Sequence, residues 1–364
     1  MWLYDILITF QIWTSSRDYD EPHANVAISA TYILPNAFTL PIQAYVYKAL
    51  GTLISENAAL SAIPVKVDND TWFFRLPEID LSQTISFQKR TRDYPAEEKP
   101  DTELCELLLL PWPRERLQDS WTFFLKQFFQ HKICPYRDPG LWTGPKSFKS
   151  FDIEIRQIVI SETVSTALRK RCRQNQTTIT SAIHTAVARS LLAHLPEEYT
   201  RLEAISAMSS RRWLKEEEGI TDQSMGMDHY SSDSFPWEVT RTSCATIKQV
   251  LSREGKDTSV GLLKYVDMWS YIQSEMGKDR DVSFKTSNLG VVKSVQEGES
   301  WPQIRRMMFT LQFDRPAAPL AVSSITEGDG CLVLGIIWQK GLAESEMFEG
   351  FVDGIATELH NAAK

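Results

Sequence analysis

Phe151-Asp152-Ile153-Glu154-Ile155-Arg156-Gln157-Ile158-Val159-Ile160-Ser161 is the stretch from which the fold reads. Apolar and polar residues alternate through it at the two-residue period of a half-buried strand. Ser161 then stands where an N-cap belongs, and a helix is predicted from it through Leu168. Thr178-Ile179-Thr180-Ser181 opens a second helix, which carries Ile183, Ala186, Val187, Leu191 and Leu192. Further on, residues 331–338 read as a strand and 345–359 as an amphipathic helix. Strands and helices thus alternate irregularly, and the chain has neither GxGxxG nor GxxxxGK[ST]. That disfavours a nucleotide-binding doubly wound sheet and favours α+β, or mixed α/β, layers used twice.

Upstream of the strand, Pro135, Pro139, Gly140, Gly144 and Pro145 crowd into 135–150, the best linker candidate in the chain. It divides residues 1–140 from residues 151–364. Within the first part, 25–32 alternates as a strand and Pro41 opens a helix through Ile42, Val46, Leu50, Leu53 and Ile54. Residues 62–67 and 71–76 read as two strands joined by an Asp- and Asn-rich turn. Residues 94–102 form a charged loop, and the aromatic run 121–129 reads as helix. The apolar residues 1–13 lack a positive n-region, carry Asp5 and are too short to span a bilayer, so they read as a first strand or helix of the fold, with a membrane-surface anchor as the alternative.

A chain of 364 residues exceeds what one hydrophobic core serves, which again predicts two lobes. Its 43% hydrophobic and 24% charged residues are those of a globular protein. With a net charge of −8 and no basic stripe, nucleic acid is not an expected partner. Short clusters such as Arg169-Lys170-Arg171 read as solvated faces. Cys105, Cys134, Cys172, Cys244 and Cys331 are scattered, with no CxxC and no zinc-like spacing, so they read as reduced thiols of a cytoplasmic protein without a metal site.

Several stretches, in order, resemble the fungal alcohol O-acetyltransferase family, a branch of the superfamily that holds chloramphenicol acetyltransferase, the plant BAHD enzymes and peptide-synthetase condensation domains. They are Asn25-Val26, Leu60-Ser61-Ala62-Ile63-Pro64-Val65, Arg75-Leu76-Pro77-Glu78-Ile79-Asp80-Leu81, residues 177–193, Met208-Ser209-Ser210-Arg211-Arg212-Trp213-Leu214, Ser224-Met225-Gly226 and Gly261-Leu262-Leu263-Lys264-Tyr265-Val266. Most specific is Ser283-Phe284-Lys285-Thr286-Ser287-Asn288-Leu289-Gly290-Val291. The resemblance implies two chloramphenicol-acetyltransferase-like lobes with a tunnel between them, a small hydroxylated substrate, acetyl-CoA as co-substrate and a monomer. It also implies a mechanism. The second histidine of a HHxxxDG motif takes the acceptor's proton, because imidazole titrates near neutrality, and the oxygen attacks the thioester.

The sequence departs from the family at that motif, since no His-His pair occurs anywhere in it. After Leu104-Cys105-Glu106-Leu107-Leu108 the chain reaches Pro111-Trp112-Pro113-Arg114-Glu115-Arg116-Leu117-Gln118-Asp119-Ser120 almost at once. Asp119 matches the motif's acid, Ser120 stands at its glycine, and Arg114 and Glu115 fall on the histidine places. The N-lobe is accordingly expected to be shortened, through a deletion or mis-spliced gene model or through genuine divergence. Among the histidines, His229, beside Tyr230 and in a stretch that the family places near the tunnel, is the candidate base. His184 lies beside the apolar face of its helix and reads as packed and hydrogen-bonded. His131 and His194 sit near helix ends, and His23 and His360 look solvated.

Glu115 and Asp119 at helical i, i+4 spacing read as a solvated face, and no GxSxG elbow supports a hydrolase. Ser287, Asn288 and Gly290 are the substrate-binding candidates, together with Tyr230, and the alternative reading of 287–290 is a conformationally demanding turn. An Asn amide offers a carbonyl both donor and acceptor, and a neighbouring glycine permits close backbone approach. Two readings stand: an O-acyltransferase or its descendant, and a non-acyltransferase on the same scaffold. The second would be a cyclase- or isomerase-like enzyme of secondary metabolism or an inactive metabolite-binding protein.

Overall fold

The computed structural model describes residues 3–10, 26–33, 41–56, 62–67, 70–75, 78–85, 120–129, 138–146, 153–206, 235–253, 256–257, 274–292, 303–310, 318–326, 328–342 and 345–364. Their elements run β1 (Leu3–Phe10), β2 (Val26–Ile33), α1 (Ile42–Glu56), β3 (Ala62–Val67), β4 (Asp70–Arg75), α2 (Leu81–Thr84) and α3 (Trp121–Phe128). They continue as β5 (Ile153–Ile160), α4 (Glu162–Gln174), α5 (Ile179–His194), β6 (Ala204–Ser206), α6 (Trp237–Leu251), β7 (Phe284–Val291), β8 (Gln303–Thr310), β9 (Leu320–Thr326), β10 (Leu332–Gln339) and α7 (Ser345–Ala363). The architecture is mixed α/β, as expected. No helix among the described residues is long and apolar enough to cross a membrane.

The main sheet has the order β5-β10-β9-β7-β6. Its β5, β10 and β9 are antiparallel, while β9, β7 and β6 run parallel. The centre of the sheet explains the sequence pattern. β9 and β10 are buried along their whole length, and β10 reads as a near-continuous apolar run, whereas edge strand β5 alternates exposed and covered residues. One face of the sheet is closed by α4, α5 and α7 through Ile160, Leu168, Ala186, Leu191, Leu334, Phe351 and Ile355. Trp338 of β10 stacks flat on Phe348 of α7 at 4.6 Å between ring centres. Outside this stack, Arg156 of β5 lies over the Trp338 ring and donates from Nε to Glu349 at 2.8 Å.

Caps fix the helix starts. Ser161 accepts from Val164 N at 3.5 Å, and Thr178 accepts from Ser181 N at 3.2 Å. Pro41 precedes α1 as its sequence position predicts.

The opposite face of the main sheet meets β8. This strand leaves the second half of the chain between β7 and β9 and pairs antiparallel with β2, giving a three-stranded sheet β1-β2-β8. Phe309 of β8 packs with Ile325 and Val333 of the main sheet, beside Met307 and Met308. The approach is so close that a Cβ on Gly335 would lie 2.6 Å from the Phe309 carbonyl oxygen, and one on Gly328 would lie 2.8 Å from that of Ile304. Two glycines let one backbone rest on another.

The segment expected to be a linker is, over 138–146, a strap laid on the second half. Trp142 and Thr143 are buried. The Gly140 carbonyl accepts from Thr200 N and Arg201 N at 3.0 Å each, and the Trp142 amide donates to Arg201 O at 3.1 Å. Arg280, itself buried, donates to the Pro145 carbonyl and, at 2.9 Å, to Gln339 Oε1. Burial lowers its guanidinium to about 10, which leaves it charged at neutral pH. Prolines and glycines punctuate the chain here, but a buried indole and a buried cation decide where it lies.

Gly335→Val tests the contact between the sheets. The added side chain meets the β8 backbone, which has no rotamer to change, so a loss of about 2 kcal/mol is expected from overpacking. Urea unfolding followed by circular dichroism reads it as a lowered midpoint. An unshifted midpoint contradicts the packing.

Candidate functional site

β7 carries the candidate residues that the structure describes. The strand runs parallel to β9 from Lys285 opposite Ala321 to Asn288 opposite Ser324, and the register then shifts before Val291 meets Thr326. The shift is a bulge with a left-handed residue in it: Gly290 has φ +75°. Its amide donates to Asn288 Oδ1 at 2.8 Å. Because that backbone group can only donate, the atom it meets must be the amide oxygen, which fixes the orientation of the Asn288 side chain. The nitrogen, Nδ2, therefore points the other way and donates to Thr180 Oγ1 at 3.0 Å.

Ser287 is nearly buried, and its carbonyl accepts from Ser324 Oγ at 3.4 Å. Among the described residues, none beyond its chain neighbours comes within 4 Å of where a Gly290 Cβ would stand, and Leu289 and Val291 on either side are half exposed. The Asn288-Leu289-Gly290 turn thus borders open space while anchored from behind. The groups tied to it are hydroxyls and amides. They can orient a carbonyl or hydroxyl by hydrogen bonding but do not exchange protons near neutrality.

One helical turn beyond Thr180, His184 sits at the centre of a buried hydroxyl cluster. Nε2 lies 2.7 Å from Thr286 Oγ1 on β7 and 2.6 Å from Ser206 Oγ on β6, and Nδ1 lies 3.4 Å from Ser243 Oγ on α6. Ser206 and Thr286 also hydrogen-bond one another, and the Phe284 ring meets the imidazole edge-on. With 1% of its surface exposed, the ring is sealed from solvent, and burial pushes it down to about 4. It is neutral at physiological pH and enclosed, in agreement with the packed histidine read from the sequence.

His194 hydrogen-bonds the Ser190 carbonyl through Nδ1 at 2.8 Å, and His360 is an exposed residue of α7. Asp119, His229 and Tyr230, like His23 and His131, lie outside the described residues. Next to Asp119, Ser120 caps α3 by accepting from Phe123 N at 3.2 Å. Its own amide donates to Asp257 Oδ1 at 2.6 Å, with Asp257 at φ 53°. The start of α3 is therefore held by a carboxylate from the second half of the chain.

Sequence reasoning passed over Thr180, Thr286, Ser206 and Ser243. Thr180 and His184 stand four apart on a helix face, and Thr286 and Asn288 two apart on a strand face. Those spacings were present in the sequence, but nothing local says that the two faces meet.

The alcohol acetyltransferase family model matches residues 121–353. The chain is 26% identical over 243 residues to the probable alcohol acetyltransferase crmB of Aspergillus fumigatus, a match covering 61% of this chain and 52% of that one. It is 25% identical over 221 residues to the probable alcohol acetyltransferase FCK4 of Fusarium pseudograminearum, covering 56% and 45%. The chain thus spans about half the length of the curated relatives it matches. Among solved structures it is similar to the TRI3 trichothecene 15-O-acetyltransferase of Fusarium sporotrichioides, with 16% identity, 62% and 50% coverage and a TM-score of 0.48.

The enclosed imidazole makes stability depend on pH. Its folded value, about 4, lies below the roughly 6.5 of a free histidine, so the unfolded chain binds the extra proton between those values. Stability is complete above about pH 6.5 and falls as pH drops toward 4. From pH 7 to pH 5 the loss attributable to this group is about 2 kcal/mol. Urea unfolding at both pH values, run beside His184→Gln, isolates it: the variant should lose less than the parent on acidification. An equal loss in both proteins refutes the assignment.

Proposed function

The chain belongs to the alcohol acetyltransferase family, and from that membership we propose that it transfers an acyl group from acyl-CoA to a hydroxyl of a small metabolite. The observation that carries the reading is the family match over more than half the chain, which includes the Asn288-Leu289-Gly290 turn. In this proposal residues 1–140 and 151–364 are two lobes and the substrates meet in a tunnel between them. Ser287, Asn288, Gly290 and Tyr230 line the substrate side. The Asn288 amide is held at both ends by Thr180 and Gly290, so it is oriented before a ligand arrives, which lowers the entropic cost of binding.

Transfer requires a base. His229 takes that role in this reading, with Asp119 as the acid that holds the loop at the start of α3. The imidazole removes the acceptor's hydroxyl proton while the oxygen attacks the thioester carbonyl. The carbon–sulfur bond then breaks, and the proton passes to the departing thiolate. His184 is unsuited to this work, because three hydroxyls occupy its nitrogens and no surface admits an alcohol.

A second reading is favoured by one specific observation: the 364 residues contain no His-His pair. On that reading the scaffold binds a metabolite, or acts on it, without acyl transfer.

Radiolabelled acetyl-CoA incubated with a panel of small alcohols separates the two. The first reading expects labelled ester, with His229→Ala reducing kcat by about 100-fold or more. Label transfer that survives His229→Ala undiminished removes the histidine from the mechanism. A parent protein that forms no ester and releases no heat with millimolar CoA in calorimetry leaves the second reading.

A further inference from the structure

α5 and β7 are joined by two polar rungs with matching spacing. Thr180 and His184 stand four apart on α5, an advance of about 6 Å along a helix axis, and Thr286 and Asn288 stand two apart on β7, an advance of about 7 Å along a strand. The upper rung joins Thr180 Oγ1 to Asn288 Nδ2 at 3.0 Å, and the lower joins His184 Nε2 to Thr286 Oγ1 at 2.7 Å. The earlier helix residue meets the later strand residue, so helix and strand run in opposite directions.

Apolar contact already packs the same helix on the sheet, with Phe284 in the common core alongside Ile183 and Ala186. Apolar packing is non-directional and tolerates a small slide of a strand, whereas hydrogen bonds hold only near 3 Å and near linearity. Two of them in sequence fix the strand's position along the helix. They do so immediately before the bulge, where the β-ladder itself loses register and stops specifying where the backbone goes.

We propose that Thr180 and His184 are positioning residues that set the Asn288-Leu289-Gly290 turn for ligand contact, an inference that rests on reading this turn as part of the substrate site. The upper rung takes one amide proton of Asn288 and leaves its oxygen to hold Gly290 in the left-handed conformation. The lower rung acts through Thr286, two residues back on the same face of the strand. Ser206 and Ser243 brace the imidazole from β6 and α6, so the whole end of the sheet refers to one helix.

The test uses the full chain labelled with 15N-asparagine, the Asn288 side-chain signal being assigned through Asn288→Asp. Thr180→Val removes the hydroxyl at nearly constant shape. It is expected to speed water exchange of the Asn288 amide protons by about tenfold with Tm lowered by only a few degrees, and Thr180→Ser to restore the slow exchange. With an alcohol the parent accepts, Thr180→Val should lose about tenfold in kcat/KM and Thr180→Ser recover it. Thr286→Val, which breaks the lower rung from the strand side, should shift the same Asn288 signal and decides the matter if the Thr180 variant does not fold.

Unchanged Asn288 exchange in a folded Thr180→Val protein, or a serine variant no better than the valine one, overturns the proposal. So does an unchanged kcat/KM beside a loosened amide. A parent protein that transfers no acetyl group would instead sink the acyltransferase reading, and the amide measurement would still judge the rungs.

Discussion

The close approach of β8 to the main sheet is the constraint on which the rest depends. A strand from the second half of the chain can join β2 and still cover Ile325 and Val333 only because Gly335 and Gly328 present no side chain to its carbonyls. The apolar face of a five-stranded sheet has to be covered, and helices already occupy the other side. Using β8 for this purpose ties the first sheet to the main one. The N-terminal strands β1 and β2 are then anchored by a strand that the second half of the chain supplies.

From the same sheet the candidate site takes its shape. β7 is parallel to β9 and leaves it at the bulge, so the backbone after Asn288 is no longer governed by ladder hydrogen bonds. Side chains assume that task. Asn288 reaches forward to Gly290 and back to Thr180, while a neutral imidazole, dry and surrounded by hydroxyls, ties the preceding residues to α5. A buried polar group is costly unless it is satisfied, and each nitrogen of His184 has a hydroxyl near it. The histidine thus serves geometry, and its low proton affinity follows from the enclosure that makes it useful there.

Much of this was legible beforehand, and the reasons differ by element. β5 announced itself by alternation and α4 and α5 by their capping residues, because period and capping are local properties that a short stretch encodes completely. β10 was legible as a strand from its apolar run. The linker reading of 135–150 was incomplete over 138–146. Turn-forming residues report where a chain bends, not whether the bend is docked, and it was Trp142 and Arg280 that docked it. Of the candidate residues, Ser287, Asn288 and Gly290 lie on β7, as their neighbouring positions require.

By itself, the sequence determined the strands β2 to β5 and β10, the helices α1, α4, α5 and α7, the caps Ser161 and Thr178 and the absence of a paired-histidine motif, since all of these depend on neighbours a few residues apart. Only the tertiary structure decided that β8 would complete the N-terminal sheet, that Asp257 would hold the start of α3, and that Thr180 and His184 would face Asn288 and Thr286. The three hydrogen-bonded pairs are separated by between 102 and 137 residues, and the strands β2 and β8 by more. A hydrogen bond across such a distance is selected by the packing of whole layers against one another, which no local pattern of residues records.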